Sequence, residues 1–257
     1  SLGCDKNLAD SEEMLGLLTG NGHEIVDSEE EADAIVINTC CFIHDAKEES
    51  VNTILEMAEY KKTGTCKILI VTGCMAQRYK EEITEEIPEV DAVLGTTSYG
   101  DIVKALNEAE AGHVFREFKD INALPEDSGR RVITTGGHFG YLKIAEGCDK
   151  HCTYCIIPSL RGKFRSVPEE RLLKQAEYMA SQGVRELILV AQETTVYGTD
   201  LYGKKTLHIL LKKLCQIKGI RWIRVLYCYP EEIYDELIQV MKAVSYTHLT
   251  LPTNSRV

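Results

Sequence analysis

The chain has 257 residues, 44% of them hydrophobic, and a net charge of −11 that is unevenly spread: residues 1–110 carry 8 Lys+Arg against 24 Asp+Glu, a net of −16, and the remainder carries +5. That length supports two domains or one barrel-sized domain, and the absence of both a ~20-residue apolar run and a charged leader predicts a soluble, cytoplasmic protein without membrane contact. Ten cysteines in a chain of this size point to metal ligation or buried thiols rather than to the disulfides of a small secreted domain.

The first hundred residues alternate helical and strand patterns, which predicts a small parallel α/β domain. Helices are expected at 8–19, 46–60, 77–87 and 102–110, and short apolar runs predict buried strands at 34–39, 67–72 and 90–94. The chain opens on Ser1, Leu2, Gly3 and Cys4 without an initiating Met, so it is read as a fragment whose first strand is cut off. From 111 to 138 the periodicity fades, and Pro125, Gly129, Gly136 and Gly137 mark a connection between domains. A second series follows, with strands at 141–145, 186–190 and 222–226 and helices at 169–182, 207–217 and 231–244. Three strand-then-helix repeats fit the start of a parallel (β/α) barrel, whose reactive groups sit on the loops after the strands. The expected division is an N-terminal domain 1–112, a linker 113–138, a truncated barrel 139–244 and a tail 245–257 that fits neither period.

Cys148, Cys152 and Cys155 form a C-x3-C-x2-C run directly after the first strand of the second series, with Gly147 allowing a sharp turn. Three thiolates on one loop can bind three irons of a four-iron cluster and leave the fourth iron open. Zinc is the rival, and it would have to recruit His151 or a distant Cys as a fourth ligand. In the N-terminal domain Cys4, Cys40 and Cys74 each follow a strand, and the carboxyl ends of parallel strands share one edge. The three can therefore converge, although a Cys at a strand end is as often packing as ligand. Cys41, Cys66, Cys215 and Cys228 match no motif and are assigned to packing. The basic run Arg161 to Arg165 reads as a solvated loop before it reads as a phosphate or substrate site. Residues 190–195, with Gln192 and Glu193, face the expected active site.

The stretch from Gly140 through Cys148, Cys152 and Cys155 to Gly162 resembles the radical S-adenosylmethionine (SAM) motif of the methylthiotransferase family. Three N-terminal stretches resemble the signatures of that family's N-terminal domain: Gly3, Cys4, Asp5, Lys6 and Asn7 with Asp10; Asn38, Thr39 and Cys40; and Gly73, Cys74, Met75, Ala76, Gln77 and Arg78. The resemblance covers residues 1 to about 244. It implies two 4Fe-4S clusters: one on Cys148, Cys152 and Cys155, whose open iron chelates SAM with Tyr154 nearby, and an auxiliary one on Cys4, Cys40 and Cys74 that participates in sulfur insertion. It implies a 5'-deoxyadenosyl radical, a second SAM as methyl donor, an electron donor such as flavodoxin or ferredoxin, and a continuation into the rest of the barrel and a TRAM domain.

Two branches of that family differ in substrate, a modified tRNA adenosine or an aspartate of small-subunit ribosomal protein S-twelve. The text of 1–7, 141–147 and 190–203 resembles the ribosomal-protein branch more, and an acidic N-terminal domain suits a basic protein better than it suits nucleic acid. Direct nucleic-acid binding is therefore not expected. The competing class is a non-catalytic iron-sulfur or zinc module. The tail is read as a foreign junction, and this stretch alone is expected to be inactive.

Overall fold

The structure is a computed structural model that describes residues 1–126 and 129–243 and the backbone of 247–249. It sorts into two compact units, Ser1–Val132 with His151–Arg161, and Ile133–Lys150 with Gly162–Val257.

In the first unit α1 (Asp5–Gly20), β1 (Ala34–Thr39), α2 (His44–Thr63), β2 (Ile68–Gly73), α3 (Cys74–Tyr79), α4 (Glu81–Glu86), β3 (Ala92–Leu94), α5 (Ile102–Glu110) and β4 (Phe115–Glu117) follow in order. The four strands form one parallel sheet in the order β1, β2, β3, β4. β2 is buried along its whole length, as expected of a strand covered on both faces, where apolar residues run without alternation. On one face Ile37, Leu69 and Val71 pack with Ile54, Ala58 and Ile83; on the other Ile70, Ala92 and Leu94 pack with Met14, Ile102 and Leu106. Each large aliphatic side chain buried this way contributes about 1.5 to 3 kcal/mol.

Two expectations change here. The helix expected at 77–87 is two short helices that meet at Lys80, whose φ of 41° breaks the helical path. Within the stretch expected to be a linker, β4 adds to the sheet beside β3; three residues carry too little periodicity to announce a strand.

The chain continues with β5 (Phe139–Lys143), β6 (Ala145–Glu146), α6 (Ile157–Arg161), β7 (Arg165–Ser166), α7 (Glu169–Ser181), β8 (Glu186–Val190), α8 (Thr199–Tyr202), α9 (Leu207–Leu214), β9 (Trp222–Val225), α10 (Asp235–Ala243) and β10 (Thr247–Leu249). All but α6 lie in the second unit. Its main sheet is parallel, in the order β10, β9, β8, β5. Leu142, Leu187 and Leu189 from the strands are fully buried, as are Leu172, Ala176 and Met179 from α7 and Leu210 and Leu214 from α9. Among the described residues no helix is long and apolar enough to cross a membrane. Apart from the backbone of β10, the tail at 245–257 lies outside the described residues.

Candidate functional site

Neighbouring strands place two of the N-terminal cysteines side by side. β1 and β2 run parallel with Thr39 opposite Gly73, so Cys40 and Cys74, each the next residue, leave the sheet at the same edge. Cys4 arrives from another direction, as the residue capping α1. Leu2 N–H donates to Asn38 O at 2.8 Å, and Gly3 is pressed so close to Cys40 that a Cβ there would stand 2.8 Å from Cys40 Sγ.

Buried polar side chains tie these three turns together. Asn7 Nδ2 donates to Leu2 O at 3.0 Å and to Thr39 O at 2.9 Å. Asn38 Nδ2 donates to Asn7 O at 2.8 Å, and Thr39 Oγ1 donates to Thr72 O at 2.5 Å. The backbone N–H of Cys40 donates to Ser50 Oγ at 3.0 Å. Polar groups this deep persist only when they are hydrogen-bonded, and here the carbonyls of Leu2, Thr39 and Thr72, within two residues before the candidate ligands, are among their partners. The turn into Cys74 also needs Gly73: its φ is 92°, and a Cβ would lie 2.3 Å from Asn38 Oδ1.

The thiols share one electrostatic environment. Burial pushes the Cys40 thiol up, and the charge of Cys4 adds to the rise. Burial also pushes Cys74 up; the guanidinium of Arg161 opposes this through its charge and a hydrogen bond, while Cys4 and Cys40 add to it. Cys41 is pushed up to about 12, chiefly by burial, and it packs in the apolar cluster with Ile35 and Ile37. Among the described residues no three Cys, His, Asp or Glu side chains converge tightly enough for a single metal ion. The thiols of Cys4, Cys40 and Cys74 are an all-sulfur donor set, the chemistry that a multi-iron cluster takes.

The loop motif is built differently. β6 and β7 pair antiparallel, Ala145 with Ser166 and Glu146 with Arg165, and so close the base of a long loop. Cys148 N–H donates to Gly162 O at 3.1 Å, and Phe164 N–H donates to Asp149 Oδ1 at 3.0 Å. Gly147 has a φ of 74°, and a Cβ there would lie 2.0 Å from Lys163 O, so only glycine fits the turn. Cys148 is buried and belongs to the second unit. Cys152 and Cys155, both half-buried, belong to the first, where Cys155 N–H donates to Cys152 O at 3.0 Å. Tyr154, expected near the cofactor, is 82% exposed.

At the end of this loop, α6 packs into the first unit. Leu160 joins its apolar cluster, and Thr96 Oγ1 donates to Leu160 O at 2.8 Å. Arg161 is 2% exposed: Nη1 donates to Asp10 Oδ2 at 3.0 Å and Nη2 to Asn7 Oδ1 at 2.5 Å. The expected solvated basic run therefore begins with a buried cation. In the second unit Glu193, just past β8, is also buried. Its Oε1 accepts from Thr195, while Oε2 accepts no hydrogen bond among the described residues and lies 3.9 Å from Lys150 Nζ. Burial pushes the Glu193 carboxyl up.

Comparison with known proteins agrees with this architecture. Residues 142–255 match the Radical SAM superfamily, and residues 1–95 match the family described as Uncharacterized protein family UPF0004. The solved structure of the radical S-adenosylmethionine methyltransferase TsrM from Kitasatospora setae, with tryptophan and a SAM analogue bound, aligns with a TM-score of 0.56 at 11% identity. That match covers 96% of this chain and 55% of that one and speaks to the fold alone. Sheet, loop motif and profile together define a radical SAM protein.

Sequence relatives narrow the class. The chain is 66% identical over 243 residues to the ribosomal protein uS12 methylthiotransferase RimO of Lachnoclostridium phytofermentans, covering 95% of this chain and 55% of that protein. It is 53% identical over 242 residues to the protein of the same name from Clostridioides difficile, covering 94% and 54%. The chain belongs to the radical SAM methylthiotransferase family, RimO type. It spans about half the length of the curated relatives it matches.

Proposed function

We propose that this protein methylthiolates an aspartate side chain of ribosomal protein uS12, using SAM and two four-iron clusters. The observation that carries the reading is the pairing of two cysteine sets in one chain, Cys148, Cys152 and Cys155 on a glycine-turned loop and Cys4, Cys40 and Cys74 around one sheet edge. The names of the relatives supply the substrate.

In this reading the N-terminal residues through β4 are the auxiliary-cluster domain, and the residues from β5 on, which the Radical SAM match follows to 255, are part of the radical SAM barrel. Cys148, Cys152 and Cys155 would hold the cluster that binds SAM. The chemistry supplied there is one electron, which cleaves a carbon-sulfur bond of SAM into methionine and a 5'-deoxyadenosyl radical able to take hydrogen from the aspartate β-carbon. Glu193 offers a buried carboxylate oxygen at the end of β8, suited to an ammonium or hydroxyl of SAM. Cys4, Cys40 and Cys74 would hold the auxiliary cluster, with Asn7, Asn38 and Thr39 fixing the turns that present them. The strongly acidic N-terminal residues favour a basic protein substrate. Flavodoxin or ferredoxin fits as electron donor, and the cytoplasm as location.

The test uses the full-length protein, reconstituted anaerobically and given dithionite, SAM and either uS12 or tRNA. Release of 5'-deoxyadenosine with a methylthio mass gain on uS12 is expected. Gain on tRNA adenosine alone would transfer the chain to the other branch, and a metal that cleaves no SAM would make it a binding module.

A further inference from the structure

Arg161 lies six residues after Cys155, yet its side chain serves the other cysteine set. Within the first unit its guanidinium reaches Asp10 and Asn7. Asn7 in turn holds the carbonyls of Leu2 and Thr39, the residues that lead into Gly3, Cys4 and Cys40. The same guanidinium hydrogen-bonds the Cys74 sulfur and acts on Cys40 through its charge. One planar group with five N–H donors can meet carboxylate, amide and sulfur at once, which the point charge of a lysine cannot do as well. Asp10 balances the cation, so the ion pair can stay buried.

We propose that Arg161 is a positioning residue for the Cys4, Cys40, Cys74 set, and that it raises the reduction potential of the iron-sulfur group those cysteines hold. The inference rests on the reading of that set given above. The physical ground is that net charge and hydrogen bonds to the sulfurs set the potential of such a group. Three thiolates bring negative charge to one sheet edge, and a fixed cation beside them favours the added electron.

The test uses the chain with Cys148, Cys152 and Cys155 replaced by Ala, so that only the N-terminal set can bind. After anaerobic reconstitution, iron is counted and the potential is followed by electron paramagnetic resonance. Arg161→Met should shift the equilibrium at least tenfold toward the oxidised form, about 59 mV for one electron, whereas Arg161→Lys should retain most of the potential. Asp10→Asn, which is isosteric and leaves the cation uncompensated, should move it the opposite way and keeps the test open if Arg161→Met does not fold. Bound iron with an unmoved potential in Arg161→Met, or equal losses in the Met and Lys variants, would overturn the inference alone. Absence of iron in the parent background would overturn the reading of the cysteine set and this inference with it.

Discussion

The two cysteine sets are built by opposite means. The sheet-edge set draws its members from residues 4, 40 and 74, far apart in sequence, so buried side chains must set their register: Asn7, Asn38, Thr39 and Arg161 join turns that nothing local would align. The loop motif gathers its cysteines within eight residues, and its base is shaped by backbone, through the β6–β7 pair, the Cys148 to Gly162 hydrogen bond and a glycine that tolerates no side chain. A distributed site thus depends on particular polar side chains. A local one depends on backbone conformation.

Substitutions can break that contrast, and the largest effect is expected at Gly147. Gly147→Ala combines a left-handed backbone, costing about 1 to 2 kcal/mol, with a clash against Lys163 O that adds about 1 to 3 kcal/mol. Denaturant unfolding should show a loss of roughly 3 kcal/mol, and iron at the loop motif should fall while the sheet-edge set keeps its own. An effect of similar size is expected at Asn7, where Asn7→Ala strands buried groups that each cost about 1 to 3 kcal/mol when unpaired. The iron loss should then fall on the sheet-edge set and spare the loop. Equal losses at both sets in either variant would show that the two are not supported independently.

The smallest effect is expected at Glu232, which accepts from Lys150 Nζ at 2.7 Å and pairs with Lys205 at 2.9 Å. The hydrogen bond from Lys150, then that from Lys205, holds the Glu232 carboxyl below its ordinary value of 4.5, and Glu232 raises Lys150 above its own of 10.5. The stabilisation is therefore complete between those two ordinary values. It is lost as pH falls through the depressed value of Glu232 or rises through the raised value of Lys150. Because the groups are partly solvated, Glu232→Gln should cost no more than about 1 kcal/mol near neutrality. The difference from wild type should shrink in acid, as measured by unfolding at several pH values.

Much of the scaffold was legible because apolar runs report burial directly. The strands at 34–39 and 186–190 and the helix at 102–110 stand where the patterning placed them, and Cys40 and Cys74 follow strand ends as expected. What stayed hidden depends on partners distant in sequence. Arg161 opens a basic run that reads as solvated, and only its ion pair with Asp10, 151 residues away, makes it a core residue. Asn38 and Thr39 look out of place at the end of an apolar strand; that mismatch was the available sign of a polar network. β4, β6 and β7 are too short to carry a period, and the break at Lys80 interrupts a pattern that is helical on both sides.

The most direct test counts clusters. After anaerobic reconstitution the chain should bind about eight irons as two four-iron clusters by Mössbauer spectroscopy, and about four when either cysteine set is replaced by Ala. Full iron retained after Cys4, Cys40 and Cys74 are replaced, or loss of one cluster on replacing Cys41 alone, would contradict the assignment of the sheet-edge set.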